Sequence, residues 1–281
     1  MVTQSFKSVA KNFKAIFLDS YGVIKNYNGL IDGVQNTIDF IRKENLALRI
    51  LTNDASRSRT QQAESLYKSG LQGIPKEEII TSGMMAKHFL EQKILEGKIG
   101  YLGTENSAHY ILQTGLEHIA VRDINEKNMK EIAAFVFLDD EGFDWNTDIN
   151  KTINLLRHKN IPVIVANSDK LYPVSKTHVS VATGGIAKLV ESILNKQFIH
   201  FGKPDSQMFM YAFEQLNMTG TFTKKDILMV GDTLHTDILG GNKFGLRTAL
   251  VLSGNTDAEE AELQINSTGI IPDFICNSIV D

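Results

Sequence analysis

Short apolar runs recur along this chain, and the stretches between them carry helical patterns. The runs are "AIFLD" at 15–19, "ALRILTN" at 47–53, "EEIITSG" at 77–83, "KIGYLG" at 98–103, "AAFVFLD" at 133–139, "IPVIVAN" at 161–167, "FIHFG" at 198–202, "DILMVGD" at 226–232 and "RTALVLSG" at 247–254. Each is too short for a helix and reads as a strand buried on both faces. Between the first two, Val34, Ile38 and Ile41 fall at helical spacing after Gly33, and "SRSRTQQAESLYKSG" ends in a glycine suited to a helix C-terminus. Strand, helix, strand, helix is the signature of a parallel sheet covered by helices. The runs are too many for one small sheet. From "KIGYLG" to about Lys196 a fresh alternating unit intervenes, after which the first style resumes, so a discontinuous core with a domain inserted in its middle is expected.

The 42% apolar content is enough to fill one large core or two modest ones. A net charge of −4 gives no electrostatic footprint for nucleic acid or an anionic membrane. The start of the chain has only the four-residue apolar run Ala15 to Leu18, too short for a signal-peptide core or a membrane span. The single cysteine, Cys276, cannot form an internal disulfide and fits a reducing compartment. A cytoplasmic protein without nucleic-acid or membrane partners is expected.

Polar residues stand at the ends of three of the runs: Asp19 ends "AIFLD", Thr52 and Asn53 end "ALRILTN", and Asp232 follows "ILMVG". In open parallel sheets ligands bind at the carboxyl edge, where loops converge and helix N-termini offer unsatisfied amides. One Asp at a strand end is usually a turn former or a cap. Convergence from three strands is the informative feature. "GDTLHTD" adds Asp237, and hard carboxylate oxygens near Asp19 would suit magnesium with several waters retained. Thr236 or Asp237 could also cap the helix "DILGGNKFG", and the two roles are compatible. Lys203, in "FGKPDS", could project into the same crevice as a fixed positive charge that eases the approach of two anions.

The ordered set Asp19, Thr52, Lys203 and Asp232 with Asp237 resembles the four motifs of the haloacid dehalogenase superfamily across nearly the whole chain. More narrowly, "ILTNDASRSR", "IITSG", "VIVANSD", "FGKPDSQMF" and "MVGDTLHTDILGGNKFGLRTALVLSG" resemble the class IIA branch, the p-nitrophenyl-phosphatase-like and nucleotide-monophosphatase-like enzymes. The resemblance implies an α/β fold: a Rossmann-like, doubly wound parallel-sheet core at 1–84 and 198–281, with an inserted α/β cap domain at 85–197. It implies a magnesium-dependent phosphatase acting on a small phosphorylated metabolite, in which Asp19 attacks phosphorus and becomes an aspartyl phosphate. Thr52, the Asn53 amide and Lys203 would hold the transferring oxygens. Asp19, the Tyr21 main-chain carbonyl and Asp232 would ligate magnesium, with Asp237 behind the metal.

One position departs from that pattern. The family phosphatases read Asp-x-Asp in the first motif, the second Asp protonating the leaving alcohol and then activating water, whereas this chain has Asp19-Ser20-Tyr21. A phenol with an ordinary pKa of about 10 can donate a proton at neutral pH but is a feeble base. Slow turnover follows if water must find another base. Asp-x-Tyr-Gly also resembles the dehalogenases of the same superfamily, whose halide leaves without a proton. Those enzymes work without magnesium and lack the Gly-Asp pair, which is intact here in "VGDTLHTD". A third alternative is a weakly catalytic protein that binds a phosphorylated metabolite.

Within the insert, Asn167 and Asp169 in "VANSDKLYP" form a candidate specificity loop or an ordinary turn. Gly184 and Gly185 in "ATGGIAKLVESI" could seat an anion, or serve a hinge or tight turn. His235 lies inside the last motif with no role assigned, and the histidines show no close metal-ligand spacing. Two chains could pair as a homodimer through the insert, as caps of this branch do, although no apolar stripe marks an interface.

Overall fold

A computed structural model describes residues 2–175 and 177–281. The chain folds as two compact units. The first comprises the chain up to Thr52, Arg59–Ile80 and Lys203–Asp281, and the second Asn53–Ser58 with Thr81–Gly202.

The first unit is built on a six-stranded sheet whose order is Phe274–Cys276, Arg247–Val251, Ile227–Gly231, Ala15–Leu18, Ala47–Thr52, Ile79–Thr81. The ladders joining the first five are parallel. Ala15–Leu18 is buried along its whole length because both faces are covered, which is why the run is continuously apolar rather than alternating. On one face Ile16, Leu18, Leu48, Ile50, Leu228 and Val230 pack with Val34, Ile38 and Ile41 of the helix Val34–Lys43. Each such side chain contributes roughly 1.5–3 kcal/mol by leaving water. The opposite face is closed by Ser206–Asn217, which Asp205 caps by accepting from the Gln207 N–H, and by Leu239–Phe244; Phe209 and Phe244 stack between these helices. Chain order runs outward in both directions from Ala15–Leu18 and Ile227–Gly231, so the topological switch point lies between those two strands.

The second unit has its own five-stranded parallel sheet, ordered Ile199–His200, Val163–Val165, Ile132–Phe137, Lys98–Leu102, His118–Ala120. Its core joins Phe135, Phe137, Val163 and Val165 to Leu155 and Leu156 of Thr147–His158 and to Ile186 and Val190 of Thr183–Leu194.

The expected α/β class, with a doubly wound parallel-sheet core and an inserted α/β domain, is the fold observed. The unit boundaries differ from 84/85 and 197/198. Ile199–His200 stays with the second unit because it pairs with Val163–Val165. Thr81 joins it because its hydroxyl lies 2.5 Å from Tyr110 OH. Residues 53–58 belong there as well: Asn106 Nδ2 donates to the Ser56 carbonyl at 2.7 Å and Tyr110 OH to that of Arg57 at 2.9 Å. Every apolar run singled out above supplies a strand. His118–Ala120 and Phe274–Cys276, both edge strands of three residues, gave no pattern long enough to notice. Among the described residues no helix is long and apolar enough to cross a membrane.

Candidate active site

The switch point positions most of the predicted residues. Leu18 pairs with Val230 on one side and Ile50 on the other, so Asp19 emerges level with the end of both neighbouring strands, its N–H bonded to the Val230 carbonyl at 2.9 Å. Thr52 is the last residue of one neighbour and is buried. Asp232 directly follows the other. The chain then makes a single π-helical turn, Leu234–Ile238, a widening common at functional sites, which carries Asp237 back beneath the loop. Asp237 is not an N-cap of the next helix. It bonds backward, Oδ2 accepting the Thr233 N–H at 3.1 Å, and lies so close to Gly231 that a Cβ there would sit 2.1 Å from its carboxyl carbon.

Lys203 joins these groups. Its side chain is 2% exposed, and Nζ lies 2.6 Å from Asp19 Oδ1 and 2.8 Å from Asp237 Oδ1. Asp19 Oδ1 also accepts the Ser20 N–H at 2.6 Å, which fixes the orientation of the carboxylate. Burial works against the charge on Lys203, yet Asp19 and Asp237 outweigh it and hold the ammonium raised and charged. Burial raises Asp19 well above the ordinary carboxylate range against the pull of Lys203, with Asp237 and Asp232 adding to the rise. Burial and then Asp237 push Asp232 up to about 7.

Ligand oxygens of Asp19, Asp232 and Asp237 lie within 4.8 Å of one another. Three ionised carboxylates against one ammonium would leave two negative charges uncompensated in a buried pocket; that cost raises Asp19 and Asp232, and one divalent cation would remove it. The donors are all hard oxygens, the set that suits magnesium rather than zinc or copper. The residues present therefore fit such an ion, with Asp19 and Asp232 as the carboxylates best placed to hold it and Asp237 committed to Lys203 and Thr233.

Two predicted residues stand differently. Tyr21 is half-buried, at a tight turn in which Gly22 takes φ +80° and donates its N–H to the Lys25 carbonyl at 2.7 Å. Gly22 is doubly required, since a Cβ there would come within 2.0 Å of Asp232 Oδ2. Asn53 belongs to the second unit: its Nδ2 donates to Asp169 Oδ1 at 2.9 Å and its carbonyl accepts from Ser82 Oγ at 2.7 Å. The loop at 167–169 is a turn, Asn167 Oδ1 accepting the Asp169 N–H at 2.9 Å. The glycine pair that opens Thr183–Leu194 serves close approach: a Cβ on Gly184 would lie 2.5 Å from the Ser168 carbonyl oxygen, and one on Gly185 2.4 Å from that of Lys170. His235 is exposed.

The sequence reading missed the loop after Arg247–Val251. Asn255 donates to Asp232 Oδ2 through its main-chain N–H at 2.6 Å and its Nδ2 at 3.0 Å, Thr256 Oγ1 holds the Asp232 carbonyl at 2.6 Å, and Ser253 Oγ donates to the Gly22 carbonyl at 2.7 Å. The available signal was positional: "SGNT" ends a strand adjacent to the one that delivers Asp232.

Comparison with known proteins shows the family and the fold. A family model for haloacid dehalogenase-like hydrolases matches residues 16–117, and a HAD-hydrolase-like model matches residues 200–281. The crystal structure of a possible sugar phosphatase of the HAD superfamily from Cytophaga hutchinsonii is 53% identical, covers 100% of this chain and 99% of its own, and superposes with a TM-score of 0.97. Chronophin of Bos taurus is 25% identical over 99% of this chain and 94% of its own length. The fold is also that of the p-nitrophenyl phosphatase from Archaeoglobus fulgidus (23% identity, 96% and 98% of the two chains, TM-score 0.80). It is shared too by the glycerol phosphate phosphatase from Mycobacterium tuberculosis, solved in complex with magnesium (22%, 99% and 78%, TM-score 0.76). This chain belongs to the haloacid dehalogenase superfamily of hydrolases.

Proposed function

We propose that this protein is a phosphatase-type hydrolase that uses magnesium to cleave a small phosphomonoester through an aspartyl-phosphate intermediate. The observation that carries the reading is the buried constellation of Asp19, Asp232 and Asp237 around Lys203, which when ionised would leave two negative charges for a divalent cation to neutralise. A halide-releasing enzyme has no use for that excess charge. The phosphatase names of the relatives and the magnesium in one structural neighbour support the same reading.

Asp19, held in one orientation by Lys203 and Ser20, attacks phosphorus as the alcohol leaves, dividing one displacement into two easier ones. The Thr52 hydroxyl, the Asn53 main-chain amide and the Lys203 ammonium hold the transferring oxygens. A magnesium ion held by Asp19, Asp232 and the Tyr21 carbonyl would neutralise charge on the phosphoryl group. Asp237 fixes Lys203 from behind. Tyr21 can protonate the leaving oxygen but is a poor base for the water that frees Asp19, so the second half-reaction limits turnover.

Phosphate release from a panel of phosphomonoesters, with and without magnesium, tests the proposal. Wild type releases phosphate only with magnesium, and Asp19→Asn loses activity on the order of 10⁶-fold, the scale seen when another covalent enzyme loses its nucleophile. Tyr21→Asp gains on the order of 10²- to 10⁴-fold as a general base is restored. Halide release without metal, or an active Asp19→Asn, would overturn the reading.

A further inference from the structure

Asp232 is 1% exposed, and both of its oxygens are engaged by named donors. Oδ2 accepts two hydrogen bonds, from the Asn255 main-chain N–H at 2.6 Å and from Asn255 Nδ2 at 3.0 Å. Oδ1 accepts one, from Thr233 Oγ1 at 2.9 Å. Asn255 Nδ2 also donates to Thr233 Oγ1 at 3.0 Å, which orients that hydroxyl so that its own proton points to Oδ1. A carboxylate oxygen has two lone pairs. Oδ2 is therefore saturated, while Oδ1 keeps one lone pair for a further partner.

We infer that Asn255 is a positioning residue that confines Asp232 to ligation through a single oxygen and thereby biases the metal site toward magnesium and against calcium. The inference rests on the proposal that Asp19 and Asp232 hold a divalent ion. Its chemistry is general: magnesium requires near-ideal octahedral geometry and takes carboxylates one oxygen at a time, whereas calcium accepts six to eight oxygens and often takes both oxygens of one carboxylate. With Oδ2 locked by the Asn255 side chain, the two-oxygen mode open to calcium is removed and the one-oxygen mode is left intact. Asn255 is exposed, and Thr256 Oγ1 anchors the same loop to the Asp232 carbonyl at 2.6 Å, an anchor that does not depend on the Asn255 side chain.

Calorimetric titration of the full chain with magnesium chloride and, separately, calcium chloride tests this, on wild type, Asn255→Ala, Asn255→Val and Asp232→Asn, with melting curves recorded for each. Partners of a ligating carboxylate typically alter metal affinity by about 10- to 100-fold. The ratio of calcium to magnesium affinity is expected to rise roughly tenfold in both Asn255 variants, with melting temperatures near that of wild type. An unchanged ratio, with both ions still binding and Asp232→Asn binding neither, overturns the role of Asn255 and leaves the metal site standing. Absence of saturable magnesium binding by wild type, or undiminished binding by Asp232→Asn, overturns the metal site and the inference with it.

Discussion

Both units place acids at the carboxyl edge of a parallel sheet, and the two edges are built for different ends. In the second unit Asp139 and Asp140 follow the strand Ile132–Phe137; Thr104 Oγ1 donates to Asp139 Oδ2 at 2.8 Å and Tyr172 OH to Asp140 Oδ2 at 2.9 Å. Burial raises Asp139 to about 6 against the Thr104 bond. These two acids accept from neutral hydroxyls and a main-chain amide. In the first unit the acids converge on one another and on a buried ammonium. A sheet edge therefore collects polar groups in either case. What sets the first edge apart is that its three acids converge within reach of one another and of one buried ammonium, whereas each acid of the second is satisfied separately by neutral donors.

Removing the ammonium breaks the comparison most severely. Lys203→Met leaves Asp19 and Asp237 buried without their cation, and losing one partner of such a pair typically costs about 3–5 kcal/mol. Urea denaturation without divalent ions is expected to show that loss, and magnesium should restore part of it. Equal stability of variant and wild type would mean that the carboxylates are neutral in the folded state.

The pH response sharpens it. Asp232 is raised to about 7 and Asp139 to about 6. An acid raised on folding binds its proton more tightly in the native state, so its contribution is fully present below the ordinary carboxylate pKa of about 4 and is lost as pH rises through the folded value. Without metal, stability should fall between about pH 4 and 7, with Asp232→Asn and Asp139→Asn each flattening part of the decline. Saturating magnesium should abolish only the Asp232 component. Smallest of all, Tyr172→Phe removes one partly exposed hydroxyl bond, worth about 1 kcal/mol or less, and phosphate release should not change.

The core fold was legible because buried parallel strands announce themselves as continuous apolar runs, and Asp19, Thr52 and Asp232 because each ends such a run. Lys203 was legible as a lysine where an apolar strand stops. Asn255 was not, since nothing in "SGNT" reveals that its donors reach a carboxylate delivered by the neighbouring strand; that pairing exists only once Leu250 lies beside Gly231. The unit boundaries were obscured for a related reason: 53–58 follows a core strand in sequence but makes its hydrogen bonds to Asn106 and Tyr110. Gly184 and Gly185 were legible only as a glycine pair at a helix start; that each is required because a Cβ would meet the Ser168 or Lys170 carbonyl oxygen shows only once the chain is folded.

Beryllofluoride, a tetrahedral mimic of a phosphoryl group on a carboxylate, gives the most direct measurement, by ¹⁹F NMR of the intact protein. The account predicts bound fluorine resonances only when magnesium is present, lost in Asp19→Asn and in Asp232→Asn. Bound resonances of equal strength without magnesium, or their persistence in Asp19→Asn, would contradict it.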